Sequence, residues 1–351
     1  MTARTFELSP GYAISRVIRG GWQLAGGHGA IDRDQAVSDL IATFDAGIWT
    51  YDCADIYTGV EELIGAARLR LASERGLDVA ARMRVHTKLV PDLARLSNIS
   101  RDYIRGIVEQ SLRRLKTERL DLVQFHWWDY AMPGYVDAMG WLDEMRREGK
   151  VRNLGTTNFD TRRLTELLDA GIPLVSQQLQ YSVLDQRPAR SLAALAARNG
   201  VSFLCYGSVA GGFLSDRWLG AAEPGMPLEN RSLVKYKLII DDFGGWDLFQ
   251  QLLRALKAVG DRHGVDIATI ASAWVLEQPR VAAVIVGARN QAHALANAGI
   301  MDIALDAGDR SRIAAVIAQG KGLEGDVYTL ERDRHGRHGS IMHYNLNAGK
   351  K

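Results

Sequence analysis

The sequence predicts an α/β fold of the closed (β/α)8 TIM-barrel type, on three observations. Eight short apolar runs, rich in Val, Ile and Leu, recur along the 351 residues, as expected of parallel strands buried on both faces. Amphipathic stretches separate them, several with readable starts and stops. No low-complexity linker divides the chain, so residues 1–351 read as a single domain with its core at about 16–318.

Strands are expected at 17–18, 47–52, 84–88, 120–126, 151–156, 174–178, 201–206 and 281–286. Between the first two, Asp32 with Gln35 three residues on predicts a capping box. The helix it opens carries Ala36, Val37, Leu40, Ile41 and Phe44 on one stripe and stops at Gly47. After Ser100, Ile104, Ile107, Val108, Leu112 and Leu115 repeat at helical spacing. Further helices are predicted at 60–77, 137–148, 161–170, 187–199, 247–262, 265–278 and 290–299. Two segments break the rhythm. Residues 214–246 read as a long Gly/Pro-containing loop, a feature that often carries function, and 320–351 as a polar tail rich in Arg and His. Periodicity alone does not show closure, so an open doubly wound sheet is the alternative.

Hydrophobic residues at 47% and charged residues at 24% are ordinary for a globular protein. A formal net charge of +2 is too small to predict a nucleic acid or a membrane surface as partner. Cys53 and Cys205, the two cysteines, lie in apolar runs and read as reduced, buried residues. No apolar run has spanning length and the first twenty residues lack a signal-peptide core, so a cytoplasmic location is expected.

A barrel of this type carries its chemistry at the carboxyl ends of its strands. Read there, the sequence offers Asp52, then Tyr57 five residues on, then Lys88 and His126. Each alone has a bland explanation in packing or solvation; together they point to a site. Adding hydride to a carbonyl requires a proton donor at the developing alkoxide. A phenol titrates near 10 and needs its anion stabilised. A lysine ammonium at about 4 Å contributes roughly 4 kcal/mol, about three pKa units. Asp52 is expected to hold that ammonium, and His126 to hydrogen-bond the substrate carbonyl.

On these residues the chain resembles the aldo-keto reductase superfamily from about Arg16 to Ala298. The resemblance rests on Asp52 to Tyr57, Lys88 in His86-Thr87-Lys88, His126 closing its strand, Gly20-Gly21-Trp22, and Gly149-Lys150-Val151-Arg152 leading to Thr157-Asn158. It implies NADP(H), preferred over NAD(H), lying extended across the barrel mouth, with no metal. No Gly-x-Gly-x-x-Gly follows a strand, so a Rossmann half has no support. The resemblance further implies that Gly21 and Trp22 border the cofactor, that Thr157, Asn158 and Gln178 grip the carboxamide, and that Tyr206 stacks on the ring. It places Ser208, Val209 and Gly211 near the pyrophosphate, and Gly287, Arg289, His293 and Asn297 around the adenosine. Gly207 stands where serine is common, and Arg289 is expected to supply the charge facing the 2′-phosphate. A small carbonyl or alcohol substrate would meet Trp22, Tyr57, His126 and Trp127, with Trp128 read as packing. The tail is a candidate cover for that pocket.

Two other readings compete with the reductase. Some members of the superfamily serve as cofactor-binding regulatory subunits of larger assemblies. A barrel using Lys88 as a Schiff-base amine is the other; a neighbouring carboxylate keeps that amine protonated and argues against it. His335, His338 and His343 lack a recognised metal-ligand spacing and read as a solvated segment.

Overall fold

The computed structural model describes residues 3–25, 31–288 and 290–344. It opens with an antiparallel hairpin absent from the sequence reading, β1 (Thr5–Ser9) and β2 (Tyr12–Ser15), with Thr5 opposite Ser15. Eight parallel strands follow: β3 (Val17–Gly20), β4 (Thr50–Asp52), β5 (Arg84–Leu89), β6 (Leu120–Phe125), β7 (Val151–Thr157), β8 (Leu174–Gln180), β9 (Ser202–Tyr206) and β10 (Val281–Val286). β10 pairs with both β9 and β3, Val284 lying opposite Val17, so the sheet is a closed barrel and the open-sheet alternative falls. The hairpin places Leu8, Tyr12 and Ile14 against Ile18, Leu122, Leu204, Ala282 and Ala283 of the barrel interior. This apolar plug seals the end where the strands begin, leaving the carboxyl ends for polar groups.

The helices between the strands follow the expected stripes, with local corrections. Asp32 caps Arg33–Asp45 by accepting from the Asp34 and Gln35 amides. The reciprocal half of the capping box is missing, because the Gln35 side chain donates to Asp39 instead. Residues 214–246 are not a loop throughout. Asn230 caps a helix, Arg231–Phe243, that buries Tyr236, Ile239, Ile240 and Phe243. A further helix, Ala307–Ile317, carries a true capping box from Asp306 and Asp309. Among the described residues, no helix is long and apolar enough to cross a membrane.

The C-terminal segment is more than a solvated tail. It crosses the barrel mouth and contributes a short helix, Thr329–Arg332, whose Glu331 is buried. Arg187 donates to both Glu331 oxygens at 3.1 Å, and its other guanidinium edge reaches Asp185 at 2.7 and 2.9 Å. Burial pushes the Glu331 carboxyl up, but Arg187 and then Lys235 outweigh it and hold it at about 2. The folded value is depressed, so this stabilisation is present above the ordinary value of 4.5 and lost as pH falls toward 2. Breaking such a buried pair costs about 3 kcal/mol when the remaining charge keeps a second partner. Glu331→Gln should therefore speed amide exchange over 327–332 by about a hundredfold while the Gly245–His263 helix keeps its protection. Unchanged exchange over 327–332 would show that the pair does not hold the segment.

Candidate active site

Each candidate group is placed by the end of a strand. Asp52 ends β4, Lys88 is the penultimate residue of β5, and His126 follows β6 directly. Tyr57 sits in the turn after β4, its amide bonded to Ala54 O at 3.0 Å. The chain from β3 enters this turn at Gly21, where a Cβ would stand 2.8 Å from Asp52 O and 2.7 Å from Val60. Gly21 is thus required by close packing and is not itself among the cavity-lining residues, although Gly20 and Trp22 on either side of it are.

The charges are arranged in one network. Lys88 Nζ donates to Asp52 Oδ2 at 2.5 Å and to Cys53 O at 3.0 Å, and lies 5.1 Å from the centre of the Tyr57 ring. Asp52 Oδ1 accepts from Gln124 at 3.0 Å and Gln178 at 2.6 Å. Gln124 escaped the sequence reading, although a glutamine inside an apolar strand is itself a signal of a polar partner. Burial works against the Lys88 charge, but Asp52 and Tyr57 more than offset it, so its pKa is raised and the ammonium persists. Burial raises the Tyr57 pKa above 10, and the opposing pull of Lys88 does not bring it back. The expectation that Lys88 draws the phenol down toward working pH is therefore corrected. Tyr57 is held protonated.

His126 is also settled by its surroundings. Its Nδ1 lies 3.1 Å from Thr157 O, and a carbonyl oxygen only accepts, so Nδ1 carries the hydrogen. Burial, then the Arg332 charge, lowers its pKa to about 3. The neutral ring consequently presents a bare Nε2 that has no protein partner. Such an atom accepts and cannot donate to a carbonyl, which corrects the hydrogen bond expected from His126.

These groups line a cavity of about 560 Å³ that runs from Trp128 and His126 past Tyr206 to Gly287 and His293. Its size suits a small-molecule ligand. Trp22, Thr157, Asn158, Gln178, Tyr206, Val209 and Gly211 also line it. Tyr206 donates to Asn158 Oδ1 at 2.8 Å, and Asn158 takes a left-handed φ of 62° at the end of β7. Ser208 is absent from the lining: its hydroxyl is buried against that of Ser272 at 3.0 Å. Asn297 reaches back to Gly287 O at 3.0 Å and does not line the cavity either. Arg289 lies outside the described residues. Gly207 and Gly211 make room for Tyr236, whose hydroxyl stands 2.6 Å from where a Gly207 Cβ would be.

The two tryptophans exchange roles. Trp127 is fully buried, its indole donating to the carbonyls of Asp129 and Met132, so the substrate contact expected of it is corrected. Trp128 lines the cavity edge-on to His126, with ring centres 4.3 Å apart. Trp22, 39% exposed, packs edge-on to Tyr57 at 5.1 Å. Three groups come from outside every predicted motif. Tyr328 faces His126 at 5.8 Å; Arg332 donates to the carbonyls of Asn158 and Trp127; Lys235 lies over the Tyr206 ring. Among the described residues there is no cluster of His, Cys, Asp or Glu suited to a metal.

Residues 16–318 match the model of the Aldo/keto reductase family. Flagellar radial spoke protein 5 of Chlamydomonas reinhardtii is 27% identical over 260 residues, 64% of this chain and 49% of that protein, so the chain spans about half that relative's length. NADH-specific methylglyoxal reductase of Escherichia coli K12 is 26% identical over 312 residues, which cover 84% and 92% of the two chains. In fold, the glycerol dehydrogenase of Gluconobacter oxydans superposes with a TM-score of 0.75 at 24% identity, covering 93% of this chain and 98% of that one. The closed barrel, the residues gathered at its carboxyl end and the match over 16–318 lead to one conclusion: the chain belongs to the aldo/keto reductase family, whose general reaction is NAD(P)H-dependent carbonyl reduction.

Proposed function

We propose that this chain reduces aldehydes or ketones to alcohols with NADPH, Tyr57 giving the proton. The observation that carries the reading is the buried Lys88–Asp52 pair beside a Tyr57 phenol kept protonated at the cavity. The residues present fit a nicotinamide cofactor. Thr157, Asn158 and Gln178 offer amide and hydroxyl groups at one wall, Tyr206 offers a ring face, and Val209 and Gly211 continue the cavity toward Gly287 and His293. When bound, the cofactor supplies hydride to the carbonyl carbon.

The chain's own residues supply the rest. Tyr57 O–H donates to the carbonyl oxygen and transfers its proton as charge develops there. Lys88 stabilises the phenolate left behind, and Asp52, held by Gln124 and Gln178, keeps the ammonium in place. His126 Nε2 accepts from the product hydroxyl, so it recognises alcohol better than carbonyl. Trp22, Trp128 and Tyr328 give the reacting groups apolar walls that limit water.

The preference for NADPH is part of the proposal and rests on Arg289 in the sequence; the Escherichia coli relative is named for NADH. Purified protein should oxidise NADPH in the presence of some members of a panel of aliphatic, aromatic and sugar aldehydes. NADH run in parallel, with dissociation constants from fluorescence, ranks the cofactors. Retained NADPH binding with no consumption across the panel would remove the reductase reading and favour a cofactor-binding regulatory subunit.

A further inference from the structure

Lys235 belongs to no predicted motif, yet it occupies a commanding place in the cavity. It projects from the Arg231–Phe243 helix, and its Nζ lies 5.0, 5.5 and 5.8 Å from the ring centres of Tyr206, Tyr236 and Tyr328. Among the described residues no carboxylate comes within salt-bridge distance of it, Glu331 being engaged by Arg187. Ring faces attract a cation but do not replace its lost water, and burial accordingly lowers the Lys235 pKa.

The charge balance of the cavity is one-sided. Among the described residues, Lys88, Arg217, Arg231 and Lys235 line it, against Asp52 and Glu229. Asp52 is matched to Lys88 at 2.5 Å and Glu229 to Arg217 at 4.0 Å, while Glu331 and Asp185, both held by Arg187, act on Lys235 from a distance without reaching its ammonium, which has no direct anionic contact among the described residues. A ligand bearing an anion would give Lys235 the direct ionic contact that the cavity walls do not provide. The position of the charge says which ligand. Tyr328 touches both Lys235 and His126, and Tyr206 touches both Lys235 and Asn158, so the ammonium stands at the reacting end of the cavity.

We propose that Lys235 is a specificity-determining residue that binds a carboxylate or phosphate carried by the carbonyl substrate. The proposal rests on the reductase reading above. It goes further by naming the substrate class: an aldehyde or ketone with an anionic group on the side away from the reacting carbon.

Benzaldehyde and 4-carboxybenzaldehyde differ by one carboxylate and test it directly. At saturating NADPH, Lys235→Met should lower the ratio of kcat/KM for the carboxylated over the plain aldehyde by about 10- to 100-fold, the range for a charge-assisted hydrogen bond. The loss should fall on KM, and Lys235→Arg should recover most of it. An unchanged ratio overturns the proposal. So does an equal loss with both aldehydes alongside weaker NADPH binding, which would assign the ammonium to the cofactor's diphosphate. If the wild type turns over neither aldehyde, the wider aldehyde panel decides the reductase reading separately, and calorimetric titration with benzoate judges the anion site alone. Benzoate binding that is lost in Lys235→Met supports the site; equal binding, or none to the wild type, overturns it.

Discussion

Tyr57→Phe should lower kcat for carbonyl reduction by about a thousandfold, the middle of the range for removing a general acid. The substitution deletes one hydroxyl from a ring that keeps its edge contact with Trp22 and its place beside Lys88. Cofactor binding should therefore hardly change, and the loss should fall on kcat. The pH profile gives a second check. Burial holds the phenol above its ordinary value of 10, so wild-type reduction should run on a plateau through neutral pH and decline only above about 10. The reverse reaction needs the phenolate and should gain with rising pH over the same range. Full activity in Tyr57→Phe, or a reductive decline centred near neutral pH, would assign the proton to another group.

Lys88→Met should cost two to three orders of magnitude in kcat/KM. An ammonium about 5 Å from a developing phenolate contributes about 3 kcal/mol at an effective dielectric near 20, which sets that rate. Removing the cation also leaves Asp52 buried with only two amide donors, Gln124 and Gln178. Loss of one member of a buried pair is destabilising by about 3–5 kcal/mol. The two effects separate in a double variant. Lys88→Met with Asp52→Asn should regain most of the stability, because no unpaired carboxylate remains, yet stay inactive. A double variant that recovers activity as well would show that Lys88 serves only to neutralise Asp52. In Lys88→Met the phenol loses its one favourable charge, so the rise of the oxidative rate should move to higher pH.

How much of this was legible follows the range of the interactions. Asp52, Lys88 and His126 stand out because each ends an apolar run, and a barrel brings strand ends together whatever the loops do. Which of two adjacent tryptophans faces the cavity is another matter. Trp127 and Trp128 point opposite ways where the chain leaves β6, and the carbonyls of Asp129 and Met132 settle which indole turns inward. The hairpin 5–15 escaped because its strands are too short to show alternation. The helix 231–243 escaped because the Gly and Pro residues before it set the reading of the whole segment.

Local pattern was enough to reveal eight strands alternating with helices and to single out Asp52, Tyr57, Lys88 and His126 as candidates at the strand ends, whereas closure of the barrel rests on the pairing of β10 with β3. The electrical state of those groups, and what surrounds them, came only from the folded arrangement. The burial that keeps Tyr57 protonated and the Thr157 carbonyl that turns Nε2 of His126 into an acceptor both arise from neighbours in space. So does the docking of the C-terminal segment through Arg187 and Glu331, 144 residues apart in the chain. Desolvation and ion pairing are set by distance in the folded state, and no spacing along the sequence encodes them.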